Sequence, residues 1–464
     1  MFAPEVRRGR VGIKIVSLNS GKVVFENDAD KYFVPASNMK NFTIATAFER
    51  LGPDFRFKTS VYATAPPDSN GTVKGSLRIF GRGDVSISPP FSAKDPNSVE
   101  VYYDRIDSLA DAIVAAGVKR IDGGLVADES YFTGNAVPYT WEWDDLQWYD
   151  GAEVSPLPIN LNSITLTVRG TRPGAPCTIE LGPPTVLYQV TNACVTGAAG
   201  SERSLGVKKA LEQNAVVISG SMPPNERWAR SITFTHPAEL FVSLLKERLE
   251  KKGVVVTGGW RVQAAGVKPP EQTEIAKIES PPFSEIAGKT MKPSQNMFTE
   301  TILWALGEEI GRKAGGKGDS SQLGIGVVRG FLQQAGIPAD SVIQNDGSGM
   351  SRHDLVTPDS IVRLYTYMAK DSRNAAAWRA SLAVGGIDGT LRTRFKGTAA
   401  SENFRGKTGT LDQVSALSGY VTTAGGEQLV VSFIVNGVAE TKMRTSLMDD
   451  IVVTLAKFNG KIDT

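Results

Sequence analysis

The sequence predicts an α/β, multi-domain protein in which a five-stranded antiparallel sheet flanked by helices is interrupted by two nested, β-rich inserted domains. At 464 residues the chain is long enough for two or three domains. An alternating apolar pattern on either side of a turn at 19–22 predicts an early hairpin. Similar alternation near the C-terminus predicts three more strands of the same sheet, at 404–410, 414–422 and 428–435.

Helices predicted from both ends of the chain and from the region after residue 281 would cover this sheet. Their apolar residues recur at helical spacing, which is typical of helices that bury one face. The predicted helical segments are 37–51, 283–290, 297–311, 323–335, 358–368 and 440–457.

Two similar segments predict an inserted domain. A helix, a Gly-Val dipeptide and a strand follow one another at 105–128 and again at 238–262. Between them, short strands alternate with many Gly and Pro residues, which predicts a second, smaller insert. The predicted boundaries are 1–58 and 281–464 for the core domain, 59–157 and 223–280 for inserted domain II, and 158–222 for inserted domain III.

Charge and hydropathy exclude two classes of partner. The net charge is +2, from 51 basic and 49 acidic side chains, and no basic stripe is interleaved with aromatic residues. We therefore expect no nucleic-acid partner. No apolar run is long enough to span a bilayer, and the N-terminus lacks a signal-peptide core. We expect no membrane span, and any export signal to be absent from these residues.

Cysteine and histidine are too scarce for a metal site. The two cysteines, Cys177 and Cys194, and the two histidines, His236 and His353, do not have zinc-binding spacing. We therefore expect no metal and no cofactor. The cysteines either form a disulfide in an exported protein or are two separate buried thiols, and the sequence leaves both open.

Ser37 and Lys40 form the first candidate catalytic motif. They open a helix that Pro35 precedes and Gly52 ends. Residues three apart lie on one helix face, so the two side chains can touch. Desolvation favours the neutral form of a lysine, and a neutral amine can take the proton of a serine hydroxyl. Alternatively, Ser37 caps the helix and Lys40 extends to solvent.

Ser294 and Asn296 form the second motif, in a predicted loop between two helices. A hydroxyl there can relay a proton, and an amide can hold a lysine or a substrate carbonyl. The alternative is that one of the two residues caps the following helix.

Lys407, Thr408, Gly409 and Thr410 form the third motif, on a late predicted strand. Glycine in a strand permits close approach of another backbone or of a ligand. The lysine and threonine side chains can hold a carboxylate, and the Thr410 N–H can face an oxyanion. The alternative is an edge strand with a bulge at Gly409.

The three motifs together resemble the active-site set of penicillin-recognising enzymes. The long segment between the first two motifs is similar to that of the low-molecular-mass class C penicillin-binding proteins, the D-alanyl-D-alanine carboxypeptidase/endopeptidase family. Further matching stretches lie at 51–57, 346–352 and 386–391. The resemblance covers essentially the whole chain, and it implies a penicillin-recognising acyl-transferase core.

The resemblance also implies an activity and a role for each motif residue. The chain would be a serine D,D-peptidase that cleaves the terminal D-Ala-D-Ala bond of peptidoglycan stem peptides, and cross-links as an endopeptidase. Ser37 would be acylated by the substrate carbonyl and equally by β-lactam antibiotics, as covalent inhibitors. Lys40 would be the general base, and Ser294 would carry the proton to the leaving amine. Asn296 would contact the substrate backbone, Gly409 would permit its close approach, and Lys407, Thr408 and Thr410 would bind its carboxylate. The N–H groups of Ser37 and Thr410 would form the oxyanion hole.

Asp145 and Arg352 are second-tier substrate-binding candidates. An amino-acid group at the end of a stem-peptide side chain needs an anion for its amine and a cation for its carboxylate. The alternative for Arg352 is that it braces the turn at 346–349. The sequence does not distinguish diaminopimelate from lysine in the stem peptide.

The family resemblance implies an extracytoplasmic protein, in the periplasm or on the outer face of the cell membrane. Self-association into a homo-oligomer is compatible with the sequence, which does not fix the oligomeric state. Two rival functions stay open: a serine β-lactamase or esterase on the same core, and a cell-wall binding protein without turnover.

Overall fold

The computed structural model describes residues 6–263 and 272–460 and separates into two compact units. The first unit comprises Met1–Arg56, Pro138–Trp141 and Pro281–Thr464, and the second comprises Phe57–Val137 and Glu142–Ser280. The strands, in chain order, are β1 (Arg10–Ser17), β2 (Val23–Asn27), β3 (Lys58–Ala63), β4 (Thr72–Lys74), β5 (Leu77–Gly81), β6 (Arg120–Asp122), β7 (Leu125–Asp128), β8 (Ser163–Arg169), β9 (Thr178–Gly182), β10 (Gln189–Thr196), β11 (Gly206–Lys209), β12 (Ala215–Met222), β13 (Arg227–Thr233), β14 (Val255–Val256), β15 (Trp260–Gln263), β16 (Thr273–Glu279), β17 (Val342–Ile343), β18 (Leu355–Val356), β19 (Ala383–Val384), β20 (Arg405–Leu411), β21 (Val414–Thr422) and β22 (Gln428–Asn436).

Three α-helices, at 40–50, 296–306 and 441–457, are shorter than the predicted segments, and one helix, at 375–381, was not predicted from the sequence. A π-helical turn at Gly307–Arg312 continues the fifth helix. The helices are α1 (Lys40–Arg50), α2 (Asp104–Ala115), α3 (Pro237–Lys251), α4 (Phe283–Met291), α5 (Asn296–Leu306), α6 (Ser320–Gln334), α7 (Pro358–Lys370), α8 (Ala375–Ser381) and α9 (Thr441–Lys457).

The sheet of the first unit has six strands, in the order β19-β20-β21-β22-β1-β2, and all its pairings are antiparallel. The predicted five-stranded sheet contains the hairpin and the three late strands, but it lacks β19. The prediction was wrong on this strand because β19 has only two residues, which pair with Arg405 and Gly406, and two residues carry no alternating pattern.

Helices pack on both faces of this sheet. On one face, Met448 and Val452 of α9 share an apolar core with Leu417 and Phe433 of the central strands. On the other face, the backbone carbonyl of Tyr365 in α7 accepts a hydrogen bond from Tyr420 Oη at 2.7 Å. Alternate residues of a strand point to opposite faces, so each central strand is buried on both sides.

The second unit contains several smaller sheets. A five-stranded mixed sheet has the order β15-β7-β5-β3-β16, and a three-stranded sheet has the order β14-β6-β4. Two further three-stranded sheets have the orders β13-β8-β9 and β10-β12-β11. Because β13 pairs with β8 over seven residues, the sheet that begins at residue 163 extends past the predicted boundary at residue 222.

Cys177 and Cys194 form a disulfide within the second unit, with their Cα atoms 5.4 Å apart. This resolves the alternative that the sequence left open. In the described ranges, no helix is both long and apolar enough to cross a membrane.

Candidate active site

Ser37 lies in a tight turn that leads into α1. A 3₁₀ turn at Ala36–Met39 precedes the helix, and Ala36 has a positive φ of 47°. No side-chain hydrogen bond caps either element, so Ser37 is not a helix cap. Its side chain is half-buried, and the helix that follows is buried along most of its length. The turn therefore holds a serine hydroxyl at the mouth of a core helix.

Lys40 is fully buried and does not extend to solvent. Its Nζ lies 2.9 Å from Ser37 Oγ, 2.6 Å from Asn296 Oδ1 and 2.7 Å from the carbonyl oxygen of Ser348. These contacts come from the 3₁₀ turn before α1, from α5 and from the loop before β18. The amine is thus fixed by acceptors from distant parts of the chain, with the Ser37 hydroxyl as its third neighbour.

Ser294 and Asn296 lie at the junction between α4 and α5. Ser294 has a positive φ of 67°, a conformation that is uncommon for a residue with a side chain. Asn296 is the first residue of α5, and neither side chain caps that helix. Asn296 Nδ2 also donates to Met350 Sδ at 3.5 Å. The second motif therefore contacts Lys40 instead of capping α5.

Lys407 is buried on β20, and its amine faces the second motif. Its Nζ donates to Ser294 Oγ at 2.8 Å and to the carbonyl oxygen of Thr408 at 2.7 Å. Burial holds the pKa of Lys407 well below its usual range, and the neighbouring amine of Lys40, whenever it is protonated, lowers this pKa further. Thr408 Oγ1 donates to Thr390 Oγ1 at 2.7 Å, which links the strand to the 386–391 stretch.

Gly409 brings β20 against the turn of the first motif. A Cβ at this position would lie 2.7 Å from the Pro35 carbonyl oxygen and 3.0 Å from the Ser37 nitrogen. β20 pairs with β21 residue for residue from 405 to 411, so Gly409 is not a bulge. Thr410, the next residue, is exposed. The glycine is needed because no side chain fits between the strand and the turn.

Asn38 holds the same strand from inside the core. Its Nδ2 donates to the Lys407 carbonyl oxygen at 3.3 Å, and its Oδ1 accepts from Ser418 Oγ at 2.5 Å. Because Asn38 adjoins Ser37 in sequence, these bonds fix the first and third motifs relative to each other.

Glu300 and Asp346 are two buried carboxyl groups beneath this site that the sequence analysis did not single out. Glu300 accepts from the backbone nitrogens of Gly347 and Ser348, and Asp346 accepts from Gly349 nitrogen at 2.6 Å. Asp346 also accepts from Trp141 Nε1 at 2.8 Å. A lone glutamate in an otherwise uncharged helix, α5, was the signal that could have identified Glu300.

The two second-tier candidates lie in different compact units. Arg352 is half-buried, and its Nη1 donates to the Asp412 carbonyl oxygen at 3.1 Å. Asp145 is half-buried at the start of a 3₁₀ turn, Asp145–Gln147, in the second unit.

The sequence matches one family model along almost its entire length. The family is described as the D-Ala-D-Ala carboxypeptidase 3 (S13) family, and the match covers residues 1–458. A relative named D-alanyl-D-alanine carboxypeptidase, from Actinomadura sp. (strain R39), is 32% identical over 469 residues, which cover 98% of this chain and 83% of the relative.

Solved structures with the same fold include penicillin binding protein 4 (dacB) from Haemophilus influenzae. It superposes with a TM-score of 0.82 at 23% identity, and the match covers 98% of each chain. The same protein in complex with a novel β-lactam superposes with a TM-score of 0.77 at 22% identity, again over 98% of each chain. At these identities the likeness concerns the fold.

Proposed function

Since the chain belongs to the D-Ala-D-Ala carboxypeptidase 3 (S13) family, we propose that it is a serine-type carboxypeptidase that works through an acyl-enzyme on Ser37. In the first step, Ser37 Oγ attacks the carbonyl of the penultimate D-alanine and the terminal D-alanine leaves. In the second step, water hydrolyses the ester and restores the serine.

Lys40 is the general base in this proposal. An uncharged amine has two N–H bonds and one lone pair. Asn296 Oδ1 and the Ser348 carbonyl, at 2.6 and 2.7 Å, are acceptors for the two N–H bonds. The lone pair is then directed at the Ser37 hydroxyl, 2.9 Å away. This distance is within the range in which a base can take a hydroxyl proton.

Ser294 delivers a proton to the departing amine. Its Oγ accepts a hydrogen bond from Lys407, so its own hydroxyl proton is available to a second partner. The amine of D-alanine needs that proton in order to leave. The proton that Lys40 takes from Ser37 can replace it after the transfer, which closes the cycle.

Lys407, Thr408 and Thr410 bind the terminal carboxylate of the substrate, and Asn296 contacts its backbone. A carboxylate next to Lys407 offsets the burial that disfavours the charged amine. The N–H groups of Ser37 and Thr410 form the oxyanion hole, since Gly409 lets β20 lie against Ser37. We propose Asp145 and Arg352 separately as contacts of the stem-peptide side chain, each within its own compact unit.

The observation that carries the proposal is the amine of Lys40, buried and 2.9 Å from Ser37 Oγ. The test is incubation with labelled penicillin followed by peptide mapping, together with release of D-alanine from a peptide that ends in D-Ala-D-Ala. We expect the label on Ser37 and neither label nor D-alanine release after Ser37→Ala. A Ser284→Ala variant, altered on α4, is the control and should retain both. A label on any other residue, or one that persists in Ser37→Ala, would refute the assignment.

A serine β-lactamase is the rival function on the same core. It would release hydrolysed penicillin rapidly, whereas a carboxypeptidase keeps the acyl-enzyme for a long time. The lifetime of the penicillin adduct, followed by mass spectrometry, distinguishes the two. We propose the longer lifetime for this protein. Among the described residues, no hydrogen bond joins a carboxylate to Ser37 Oγ, so no carboxylate is bonded there as a dedicated deacylating base.

We further propose that the protein cleaves peptide cross-links of peptidoglycan and functions outside the cytoplasm. The disulfide between Cys177 and Cys194 supports the location, because such bonds persist in oxidising compartments. We also propose three domains, with the penicillin-recognising core in the first unit and inserted domains II and III in the second, where the two inserted domains share the sheet β13-β8-β9. Digestion of purified cross-linked dimeric muropeptides, read by chromatography, tests the endopeptidase activity.

A further inference from the structure

Helix α5 contributes a second residue to the surroundings of Lys40 besides Asn296. Asn296 and Glu300 are four residues apart, so they lie on the same face of the helix. Asn296 contacts Lys40 Nζ directly. The side chain of Glu300 is 1% exposed and lies under the loop that supplies another Lys40 contact, the carbonyl oxygen of Ser348.

Glu300 fixes the peptide group on which that contact depends. Its Oε1 accepts from Gly347 nitrogen at 2.9 Å and from Ser348 nitrogen at 2.7 Å, and its Oε2 accepts from Gly347 nitrogen at 3.1 Å. Two consecutive backbone N–H groups directed at one carboxyl group leave the loop little freedom to rotate. The Ser348 carbonyl oxygen is thereby held 2.7 Å from Lys40 Nζ.

Neighbouring contacts fix the ends of the same loop but do not replace Glu300. Asp346 accepts from the nitrogens of Gly349 and Ser351, at 2.6 and 2.8 Å. Thr43 Oγ1 of α1 donates to the Gly347 carbonyl oxygen at 3.0 Å. Without Glu300, two buried N–H groups would lose their acceptor, and the loop would have to turn to find another.

We propose that Glu300 is a positioning residue for the reaction: by accepting the Gly347 and Ser348 N–H groups, it aims the Ser348 carbonyl at Lys40 and so keeps the amine directed at Ser37. This rests on the proposed function, in which Lys40 is the base. Glu300 does not touch Ser37 in this scheme and acts only through the loop. The loss of its carboxyl group should therefore slow acylation and leave substrate binding unchanged.

Three variants test the proposal through the rate of Ser37 acylation by penicillin and through kcat and KM for a D-Ala-D-Ala peptide. Glu300→Leu removes the acceptors and should lower the acylation rate and kcat about 100-fold with KM within threefold. Glu300→Gln keeps one acceptor oxygen, so it should restore the rate to within about tenfold of the wild type. Glu308→Leu is the matched control, because Glu308 is a buried carboxylate bonded to Arg312 and Ser320, outside the loop.

A purely structural role predicts a different pattern. In that case Glu300→Leu and Glu308→Leu would lose activity in proportion to their lower Tm, and that result would overturn the proposal. So would a folded Glu300→Leu variant that is acylated at the wild-type rate. If Glu300→Leu does not fold, Glu300→Asp takes its place, because the shorter side chain cannot reach both N–H groups and must be slower than Glu300→Gln. A wild-type protein that is not acylated at Ser37 would refute the proposed function itself.

Discussion

The amine of Lys407 donates a hydrogen bond to Ser294 Oγ at 2.8 Å, across 113 positions of sequence. The strand that carries Lys407 and the loop that carries Ser294 are thus joined at the point where the leaving group of the substrate would depart. Because the lysine is the donor, the serine is left with a proton to give. This polarity supports the role of Ser294 as a proton donor and makes the role testable.

We expect Ser294→Ala to slow acylation by penicillin by about 100-fold or more, the usual scale for the loss of a general acid or base. The adduct should still form on Ser37, because the nucleophile and Lys40 are unchanged. Stopped-flow measurement of acylation gives the rate, and Ser284→Ala is the control for a serine on the preceding helix. Acylation of Ser294→Ala at the wild-type rate would remove Ser294 from the mechanism.

The depressed pKa of Lys407 predicts a pH-dependent KM. Burial lowers this pKa, so the amine loses its proton at a lower pH than a free lysine does. A neutral amine holds a carboxylate poorly, and KM for a D-Ala-D-Ala peptide should therefore rise as the pH passes the lowered pKa. The comparison substrate carries a terminal amide in place of the carboxylate and should lack this rise. A KM that stays constant at every pH below 10.5 at which the protein is folded would contradict the carboxylate role.

Gly349→Ala should destabilise the protein and impair acylation. Gly349 has a φ of +81°, and a Cβ there would lie 1.9 Å from the Ala36 carbonyl oxygen, next to the nucleophile. Overpacking and the left-handed backbone together cost roughly 2–4 kcal/mol. Gly426→Ala is the matched control: its φ is +86°, but no atom lies within 4 Å of the added Cβ, so only about 1 kcal/mol is expected. Denaturant unfolding measures both variants, and equal losses would show that the contact with Ala36 is unimportant.

Glu300 should make the stability of the protein fall as the pH rises from about 4.5 to about 8. Burial and the charge of Asp346 raise its pKa from 4.5 to about 8. Between those values the folded protein binds a proton that the unfolded chain releases, so this stability is present below pH 4.5 and is lost as the pH rises through 8. Glu300→Gln has no such proton to lose. The Tm of the wild type should therefore fall relative to that of the variant between pH 6 and 9.

The control for this measurement is Glu308→Gln, which removes a buried carboxylate that is ion-paired with Arg312. Its Tm should differ from the wild type by a constant amount over the same pH range. Asp354, whose pKa burial raises and the charge of Glu300 raises further, titrates in all three proteins, so its contribution cancels between the wild type and Glu308→Gln and forms part of the difference seen with Glu300→Gln. A Tm difference between wild type and Glu300→Gln that does not change with pH would refute the expectation.

The long elements of the first unit could be predicted from the sequence because their patterns are local. The strand predicted at 414–422 has the same bounds in the structure, and α7 begins at the predicted residue, Pro358. The strand β19 and the helix α8 have two and seven residues, too few for a periodic pattern. The boundary at 222 stays a prediction; β13, which follows it, pairs with β8 about 60 residues earlier, and no local pattern encodes such a pairing.

The three motifs could be identified because each carries reactive side chains at a characteristic spacing, and the structure brings them together around Lys40 and Lys407. Their catalytic roles stay predictions. Glu300 and Asp346 could not be found in the same way, because their partners are backbone N–H groups of a loop. Nearly every residue type has such a group, so the sequence does not indicate which ones these carboxyl groups bind. The contact of Asp346 with Trp141 joins residues 205 positions apart, which no local pattern encodes.

The pairing of β1 with β22 has a consequence for how the protein is made. β1 leaves the ribosome about 400 residues before β22, the strand with which it pairs along its whole length. Until those late residues have been synthesised, β1 lacks this partner and is held only by the short hairpin with β2. The sheet of the first unit therefore closes only after β22 has been synthesised, and sequence-distant pairing of this kind is slow.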